Sequence, residues 1–420
     1  MNKLAVIIGK SARFASRLRG GGSALPGLVV EKIDPDFMAD ILQKLPYGVA
    51  VISGTNGKTT TTKMVTDLLE SQGLKVFTNK TGSNFTRGVV SEIISEIKNF
   101  KFDFDIAVLE LDEAHAVKFV DQVPPKYTLL LNVLRDQLDR FGEIDKTAKL
   151  LTEVAKKTTN SVILNREDPL ISTIACSLPR SIKTSFYGYA PSLASYFPND
   201  DELYNINRPK KPTHEVDVEL KSFSKSKVTF AINQRSYSTK INISGAHNLF
   251  NAAGALALVK SILGPKTNPE KIVHGLANVK SAFGRGEKLS INGTQVELFL
   301  VKNPAGFRSS LKSQYDPNAE TMIAINDQYA DGRDMSWLWD VDFTNLKNVA
   351  ILSGVRAYDM ALRLQYDEIK FGDIEIDLKK SVNLLLSQNP KQSKQIFCTY
   401  TAMLKIRKLL SKIDKVERAL

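Results

Sequence analysis

The stretch VISGTNGKTTTT, residues 51–62, limits what this chain can fold into. An apolar run ends in small residues, a glycine and a lysine follow, and a helical pattern then begins with four threonines. Backbone N–H groups and the positive end of the helix dipole collect where a strand turns into a helix, so such a turn attracts anions. The sequence therefore predicts a phosphate-binding loop between a buried strand and a helix.

Each residue type in this loop has a defined use. Gly57 lets the backbone approach a phosphate, and Lys58, which we expect to be exposed in the loop, reaches the outer phosphates. The hydroxyl of Thr59 or Thr60 can ligate Mg²⁺. The pattern departs from the common G-x-x-x-x-G-K-[ST], because Ile52 stands at the first glycine position. An ordinary strand–turn–helix with a polar cap is the alternative. The predicted nucleotide-binding residues of the loop are Gly54, Thr55, Asn56, Gly57, Lys58, Thr59 and Thr60.

Strand and helix patterns alternate from about 48 to 190, which predicts a doubly wound, mostly parallel α/β sheet. From 214 to 244 the apolar period changes to two, which predicts antiparallel hairpins. A second α/β block follows, with strands expected near 295–301, 321–325, 348–352 and 396–399. We expect an N-terminal basic segment (1–40), a phosphate-loop domain (41–288) with a β-rich insertion near 190–244, and a smaller α/β C-terminal domain (289–420).

The net charge of +12 favours an acidic partner, such as nucleotide phosphates or an anionic membrane face, or reflects solvated lysines. No nucleic-acid-binding module is recognisable. No apolar run reaches the ~18 residues of a membrane-spanning helix. The N-terminus is predicted to form a basic amphipathic helix and not a signal peptide. Cys176 and Cys398 cannot form a disulfide framework, which suits a reducing cytosol, and both are expected in the core.

Carboxylates end the strand predicted at 104–111. Glu110, Asp112 and Glu113 face the phosphate loop in such a fold and could hold Mg²⁺. A solvated loop is the alternative. In NVLRDQLDRFG (132–142), Asp136 and Asp139 could position a second cation, or they could simply begin a charged helix.

Two further groups are candidates for binding. Asn248 and Asn251 lie close together on one predicted helix, where their amides could read an adenine edge. The segment 326–340 contains Asp327, Asp331, Asp334 and Asp340 around Arg333, more carboxylates than a turn requires.

Five motifs in this order, GTNGKTTTT, LELDE, NVLRDQLDRFG, GAHNLFNAAGALA and FGRGEK, resemble the Mur ligase family of ATP-dependent amide-forming enzymes. The resemblance covers roughly residues 40 to 420. It implies that Glu110 and Thr59 hold Mg²⁺, and that Asn248, Asn251, Arg285 and Asp327 hold ATP between the two domains. The usual N-terminal domain that binds a UDP precursor is expected to be missing.

The segments KNPAGF, NDQYADGRDMSWLWDVDF and SGVRAYDMALRLQY resemble one branch, the MurT ligases. These are synthetase subunits of lipid II isoglutaminyl synthase, with GatD as glutaminase partner. The chain departs from that branch in lacking the four cysteines of a zinc ribbon, so we expect no zinc site. It also has Gln137 where many Mur ligases have a magnesium-binding histidine. Lys149 is the nearest candidate for the carbamylated lysine of several members.

The resemblance implies ATP-dependent amidation of the D-isoglutamate α-carboxyl of lipid II, through an acyl phosphate, with Lys58 acting on the transferred phosphoryl group. Ammonia would come from a GatD-type subunit in a heterodimer. The enzyme would be cytoplasmic and peripheral to the inner face of the plasma membrane. One alternative is a ligase that adds an amino acid without a partner, as folylpolyglutamate synthetase does. Another is a non-catalytic nucleotide-binding subunit.

A glutaminase with a cysteine and a histidine can lack the acid that orients the histidine. We hypothesise that this chain supplies that acid across the subunit interface from Asp331 or Asp334. Asp334 is favoured, because Asp331 precedes Gly332 and suits a turn. A salt-bridge network around Arg333 is the alternative.

Overall fold

A computed structural model describes residues 2–18, 24–79, 85–134, 144–197, 214–224, 226–240, 242–243, 245–279 and 285–414, with only the backbone at 17, 18 and 285. The chain divides into two compact units. The first comprises Met1–Val133, Ile144–Asn242 and Asn248–Val279, and the second comprises Leu134–Glu143, Ile243–His247 and Lys280–Leu420.

The first unit is built from helices on both sides of one large sheet. Its helices are α1 (Lys3–Leu18), α2 (Leu25–Ile33), α3 (Phe37–Leu42), α4 (Lys58–Ser71), α5 (Thr86–Glu96), α6 (Glu113–Gln122), α7 (Ile144–Lys156), α8 (Pro169–Ser172), α9 (Ala246–Leu263, beginning in the second unit) and α10 (Pro269–Gly275). Its strands are β1 (Gly48–Ser53), β2 (Val76–Thr78), β3 (Ile106–Glu110), β4 (Tyr127–Leu130), β5 (Ser161–Asn165), β6 (Lys183–Tyr189), β7 (Val218–Phe223), β8 (Lys227–Ile232) and β9 (Arg235–Lys240).

The strand order of this sheet is β2-β3-β1-β4-β5-β6-β7-β8-β9. Pairing is parallel from β2 to β7 and antiparallel from β7 to β9, so the hairpins expected over 214–244 extend the parallel sheet at one edge. The chain runs from β1 toward β2 on one side and from β4 toward β5 on the other. The boundary between β1 and β4 is therefore the topological switch point, where open α/β sheets bind their ligands.

Strand β1 is buried along its whole length, as its β-branched sequence predicts. Val51 aligns with Leu109 of β3 on one side and with Thr128 of β4 on the other. Val51 and Leu109 belong to a core that also includes residues of α1, α2, α3, α5 and α6. This core and the pairing of β1 with β4 hold the carboxyl ends of β1, β3 and β4 side by side, and the predicted site residues lie at or after these ends.

The N-terminal basic helix predicted from the sequence is present as α1. Its inner face, with Ala5 and Val6, is buried in the core shared with α2 and α5. A Cβ built on Gly9 would lie 2.7 Å from Val30 Cγ2 and 2.9 Å from Ile94 Cδ1, so glycine permits close packing of the three helices here. Among the described helices, none has both the length and the apolar composition needed to cross a bilayer.

The second unit is a smaller α/β layer structure. Its helices are α11 (Pro304–Gln314), α12 (Ala357–Tyr366), α13 (Leu378–Ser387) and α14 (Tyr400–Ile413). Its strands are β10 (Arg285–Ile291), β11 (Thr294–Leu300), β12 (Glu320–Ala324), β13 (Asn348–Ser353), β14 (Lys370–Glu375) and β15 (Lys394–Cys398), in the order β10-β11-β15-β12-β13-β14.

Side chains alternate between two cores along the central strands of this sheet. Phe299, Ile323 and Phe397 pack on one face, while Leu298 and Met322 pack on the other. The sheet is therefore covered on both sides, as expected of a mostly parallel sheet. The four strands predicted from the sequence are present. The edge strands β10 and β14 were not predicted, because their half-exposed residues lack the continuous apolar run of a buried strand.

Candidate active site

The phosphate loop lies where predicted, between β1 and α4. Gly54 has φ 129° and Gly57 has φ 92°, a backbone conformation that disfavours side chains with a Cβ. Asn132, just after β4, supports the loop from the neighbouring strand end. Its carbonyl accepts the Thr55 N–H at 2.9 Å, and its side-chain amide bonds both to the Asn56 N–H (2.9 Å) and to the Asn56 carbonyl (3.0 Å).

Lys58 is buried, with a relative exposure of 6%, so the expectation that it is exposed in the loop was wrong. It is the first residue of α4, and its Nζ donates to the carbonyls of Gly54 (2.6 Å) and Thr55 (3.3 Å). Asp112 Oδ1 and Glu113 Oε1 lie 3.5 and 3.7 Å from the same nitrogen. The lysine folds back over its own loop because these oxygens surround it, and its charge is compensated on the protein side.

Thr59 and Glu110 meet at the start of α4. The Thr59 hydroxyl donates to Glu110 Oε1 at 2.8 Å, so the two side chains lie together, and their joint role toward Mg²⁺ stays a prediction. Glu110 is held in place by Asn79, which lies directly after β2. The Asn79 amide donates to the Glu110 carbonyl (2.7 Å) and accepts its N–H (2.9 Å), which continues the β2–β3 ladder beyond the end of β2.

These residues fit a nucleotide with a magnesium ion. The N-cap residue of α4 is Gly57, which has no side chain to cap the first turn, and this suits an anion at the helix end. The buried hydroxyl of Thr60 has no hydrogen-bond partner among the described residues. The described residues contain no group of three or more His, Cys, Asp or Glu that could hold a metal. A hydroxyl and a carboxylate suit Mg²⁺ nevertheless, because it takes its other oxygens from phosphates and water.

The predicted nucleotide-binding residues outside the loop are distributed over both units. Asn251 in α9 lies against the loop, since a Cβ on Gly57 would be 2.7 Å from its Oδ1. Asn248 is half-buried in the first turn of the same helix. In the second unit, Arg285 begins β10, and only its backbone is described. Asp327 Oδ2 accepts from Arg356 Nη2 at 2.8 Å and Nε at 3.0 Å. The roles of all four residues toward ATP stay predictions.

Asp331 and Asp334 lie in different environments. Asp331 is buried, and its carboxylate accepts from the N–H groups of Thr401 (2.7 Å) and Gln328 (3.0 Å) and from the Thr401 hydroxyl (2.5 Å). Burial raises the pKa of Asp331. Asp334 is exposed, and hydrogen bonds from Ser336, including one from its N–H at 2.8 Å, hold the pKa of Asp334 below its usual value. Asp331 therefore joins its loop to α14, while Asp334 offers an ionised carboxylate to the surroundings.

Several sequence expectations concern other positions. Asp136, Gln137, Asp139 and Arg140 lie outside the described residues. Lys149 is exposed on α7. Cys398 is buried as expected, but Cys176 is exposed, so its assignment to the core was wrong. Cys176 lies in a short 3₁₀ turn that buries Ile174 and leaves the thiol outside.

Sequence reasoning missed Asn79 and Asn132. Asn79 belongs to none of the five motifs, and Asn132 begins the motif NVLRDQLDRFG but was assigned no role in it; their contacts lie 31 and 76 residues away in sequence. The available signal is position. Asn79 directly follows β2, which pairs with β3, and Asn132 lies two residues after β4, which pairs with β1. Both therefore lie at the edge where parallel strands present their ligand-binding residues.

The chain was compared with known proteins. Residues 52–259 match the Mur ligase middle domain, and residues 300–403 match the MurT ligase C-terminal domain. A Streptococcus pneumoniae protein, lipid II isoglutaminyl synthase (glutamine-hydrolyzing) subunit MurT, is 29% identical over 97% of this chain and 96% of its own length. The Staphylococcus aureus (strain COL) protein of the same name is 29% identical over 87% of this chain and 88% of its own.

The solved structures agree at the level of fold. The MurF ligase of Thermotoga maritima, crystallised in complex with ADP, superimposes with a TM-score of 0.68 at 18% identity, over 91% of this chain and 84% of that one. The phosphate loop, Thr59 and Glu110 lie within the matched middle domain, and the loop with Asp331 and Asp334 lies within the matched C-terminal domain. The chain belongs to the Mur ligase family, in the branch that carries the MurT C-terminal domain.

Proposed function

We propose that this chain is the synthetase subunit of a lipid II isoglutaminyl synthase. It would convert the D-isoglutamate α-carboxyl of the lipid II stem peptide into the amide of D-isoglutamine, at the expense of ATP. The observation that carries the proposal is the combination, in one chain, of a phosphate loop joined to Glu110 through Thr59 and a MurT C-terminal domain.

The chemistry follows from the poor leaving group of a carboxylate. One carboxylate oxygen attacks the γ-phosphorus of ATP, and ADP leaves with the electron pair of the broken P–O bond. Ammonia then attacks the acyl carbon, a proton is lost from nitrogen, and inorganic phosphate departs. Charge develops on the transferred phosphoryl oxygens, where Lys58 and the amides at the start of α4 would stabilise it. Thr59 and Glu110 would hold Mg²⁺, which neutralises phosphate charge when bound.

Lys58 must exchange partners for this role. Its nitrogen donates to two loop carbonyls and lies near Asp112 and Glu113, all of them in the first unit. A phosphate oxygen at the loop carries full negative charge and competes well with neutral carbonyls. The two carboxylates would keep the lysine aligned until the nucleotide binds.

Ammonia is mostly protonated at neutral pH, so a glutaminase subunit that delivers it unprotonated is an advantage. We infer that Asp334 serves that partner by orienting its histidine. The exposure of Asp334 and its lowered pKa support this role. The hydrogen bonds of Asp331 to Thr401 and Gln328 support an internal role for that residue.

The substrate implies a membrane-proximal enzyme. Lipid II carries its muropeptide on a membrane-embedded lipid, and a net charge of +12 favours an anionic membrane face. We therefore propose a cytoplasmic protein that works at the inner face of the plasma membrane.

The test is reconstitution with a GatD-type glutaminase, lipid II, ATP and Mg²⁺, with glutamine or ammonium as nitrogen source and mass spectrometry of the muropeptide. Amidation with both sources is expected. Consumption of an amino acid in place of ammonia would favour an amino-acid-adding ligase, and absence of ATP turnover would favour a non-catalytic subunit.

The role of Asp334 toward the partner's histidine is tested separately. Asp334→Asn should abolish activity with glutamine and preserve activity with ammonium. Asp331→Asn, which changes a carboxylate in the same loop, is the matched comparison. Equal loss with both nitrogen sources in Asp334→Asn would return that residue to the ATP or lipid II site.

A further inference from the structure

The outer face of α1 carries a ridge of exposed apolar side chains. Leu4, Ile7 and Phe14 have relative exposures of 60%, 51% and 69%. Their spacings of three and seven residues place them in one line along the helix. Ser11 lies in the same line, and its hydroxyl donates back to the Ile7 carbonyl at 3.0 Å. The ridge therefore presents little unsatisfied polar surface to whatever covers it.

The ridge is held in a fixed direction. The opposite face of α1 is buried, with Ala5 and Val6 at 0% and 1% exposure. Gly9 permits the close packing on Val30 and Ile94 described above. Lys10 Nζ donates to the carbonyl of Ile97, the C-cap residue of α5, at 2.7 Å. Helix α1 is thus part of the first unit's core, and its exposed ridge is not the inner face of a detached helix.

The surroundings of the ridge are basic. Helix α1 contains no Asp or Glu but has Lys3, Lys10 and Arg13. The ammonium of Lys3 lies 5.7 Å from the ring centroid of Phe100, which is itself 41% exposed. Lys98 and Lys101 are exposed on either side of that phenylalanine. The apolar ridge therefore continues into an aromatic residue framed by lysines.

We propose that this ridge, defined by Leu4, Ile7, Phe14 and Phe100, inserts into the headgroup region of an anionic phospholipid bilayer. The proposal rests on the proposed function, because a lipid-linked substrate requires work at a membrane. Apolar side chains with lysines and arginines beside them match the acyl boundary and the lipid phosphates of such a surface. A second copy of the chain would bring like charges together and fits less well.

Since α1 is fixed to the core, lipid binding would orient the whole first unit. The helix would lie parallel to the membrane plane, with Ala5 and Val6 on the protein side. Binding would then need no ordering of a free segment, and its entropic cost would be small.

The test is co-sedimentation of the full chain with vesicles that contain no lipid II. Phosphatidylcholine vesicles with and without phosphatidylglycerol separate the charge contribution. The wild type should bind the anionic vesicles and bind neutral ones much less. Leu4→Ser/Ile7→Ser/Phe14→Ser should weaken binding by about tenfold or more, since three inserted side chains are lost. Lys3→Gln/Lys98→Gln/Lys101→Gln should weaken it by about fivefold per lysine near the surface.

A matched control keeps the test specific. Ile376→Ser/Leu404→Ser removes exposed apolar side chains of the second unit, at 48% and 39% exposure, and should bind vesicles like the wild type. Circular dichroism should show that all variants keep their helix content. Equal vesicle binding by wild type and the ridge variant would overturn the proposal. So would a wild-type dimer that the ridge variant converts to monomer.

Failure of the proposed catalytic function can be told apart from failure of the membrane-binding proposal. With the glutaminase subunit present, the ridge variant should amidate a soluble muropeptide as fast as wild type and amidate lipid II in vesicles more slowly. Loss of activity on the soluble muropeptide would mean that the ridge supports folding or catalysis. Absence of amidation by the wild type on either substrate, with vesicle binding intact, would refute the function and leave the membrane surface standing.

Discussion

Substitution of Lys58 should affect both catalysis and stability, because this residue is buried. Lys58→Ala removes two charge-assisted hydrogen bonds, to Gly54 O and Thr55 O, and leaves Asp112 and Glu113 without their cation. Hydrogen bonds to charged groups contribute about 1.5–3 kcal/mol each, and loss of a buried ion partner costs a few kcal/mol, partly overlapping. We expect the free energy of unfolding of the first unit to fall by about 3 kcal/mol.

Activity should fall much further. Removal of one donor that stabilises transition-state charge typically costs about a hundredfold to a thousandfold in kcat. The measurements are urea unfolding followed by circular dichroism, and ATP-dependent amidation by the purified complex under conditions where the variant is fully folded. Lys58→Met keeps the apolar stem and should separate lost packing from lost charge.

Lys63→Ala is the matched control. It lies in the same helix, its side chain is 39% exposed, and its ion pair with Asp67 spans 3.1 Å. A partly exposed pair at i,i+4 on a helix contributes about 0.3–0.5 kcal/mol. If Lys58→Ala is as stable as Lys63→Ala, the reasoning from burial is refuted. If Lys58→Ala amidates at the normal rate, Lys58 does not act in a phosphate-binding loop.

Four other predictions concern separate features. Thr59→Val should raise the Mg²⁺ concentration needed for half-maximal ATP turnover, and Thr59→Ser should restore it; an unchanged Mg²⁺ dependence would contradict the metal role. Burial raises the pKa of Asp331 in the folded state, so its contribution to stability is complete below its unfolded pKa and is lost as pH rises through the folded value. The stability advantage of wild type over Asp331→Asn should therefore shrink in urea unfolding as the pH rises above the usual pKa of an aspartate, and a growing advantage would contradict this. In the native protein a thiol reagent should modify Cys176 and spare Cys398, which is buried and whose pKa burial raises, until denaturant is added. Elemental analysis of the purified chain should find no stoichiometric zinc, and one tightly bound zinc per chain would reveal an unrecognised site.

The phosphate loop and its central strand could be predicted because their signals are local. A β-branched run, two glycines, a lysine and a helical pattern lie within twenty residues, and each has a direct physical meaning. The pairing of Thr59 with Glu110 could also be anticipated, because Thr59 follows one buried strand of a parallel sheet and Glu110 ends another.

Other features depend on contacts that no local pattern encodes. Lys58 was expected to be exposed because lysine usually is. The carboxylates of Asp112 and Glu113, which lie near its ammonium group, come from the start of a helix more than fifty residues later in the sequence. Asn79 and Asn132 act through their amides on distant backbone groups. Cys176 has ordinary apolar neighbours in sequence, and only the direction of a short turn exposes it.

The position of β1 between β3 and β4 has a consequence for how the protein folds. The neighbours of β1 are strands that begin at residues 106 and 127, and the amide that supports the phosphate loop is at residue 132. Contacts this distant in sequence form late, because the intervening chain must first be closed into loops. During synthesis, the first sixty residues can form helices but cannot assemble the loop. The segment 51–59 therefore stays without its native partners until Asn132 has left the ribosome, and nucleotide binding can begin only after that point.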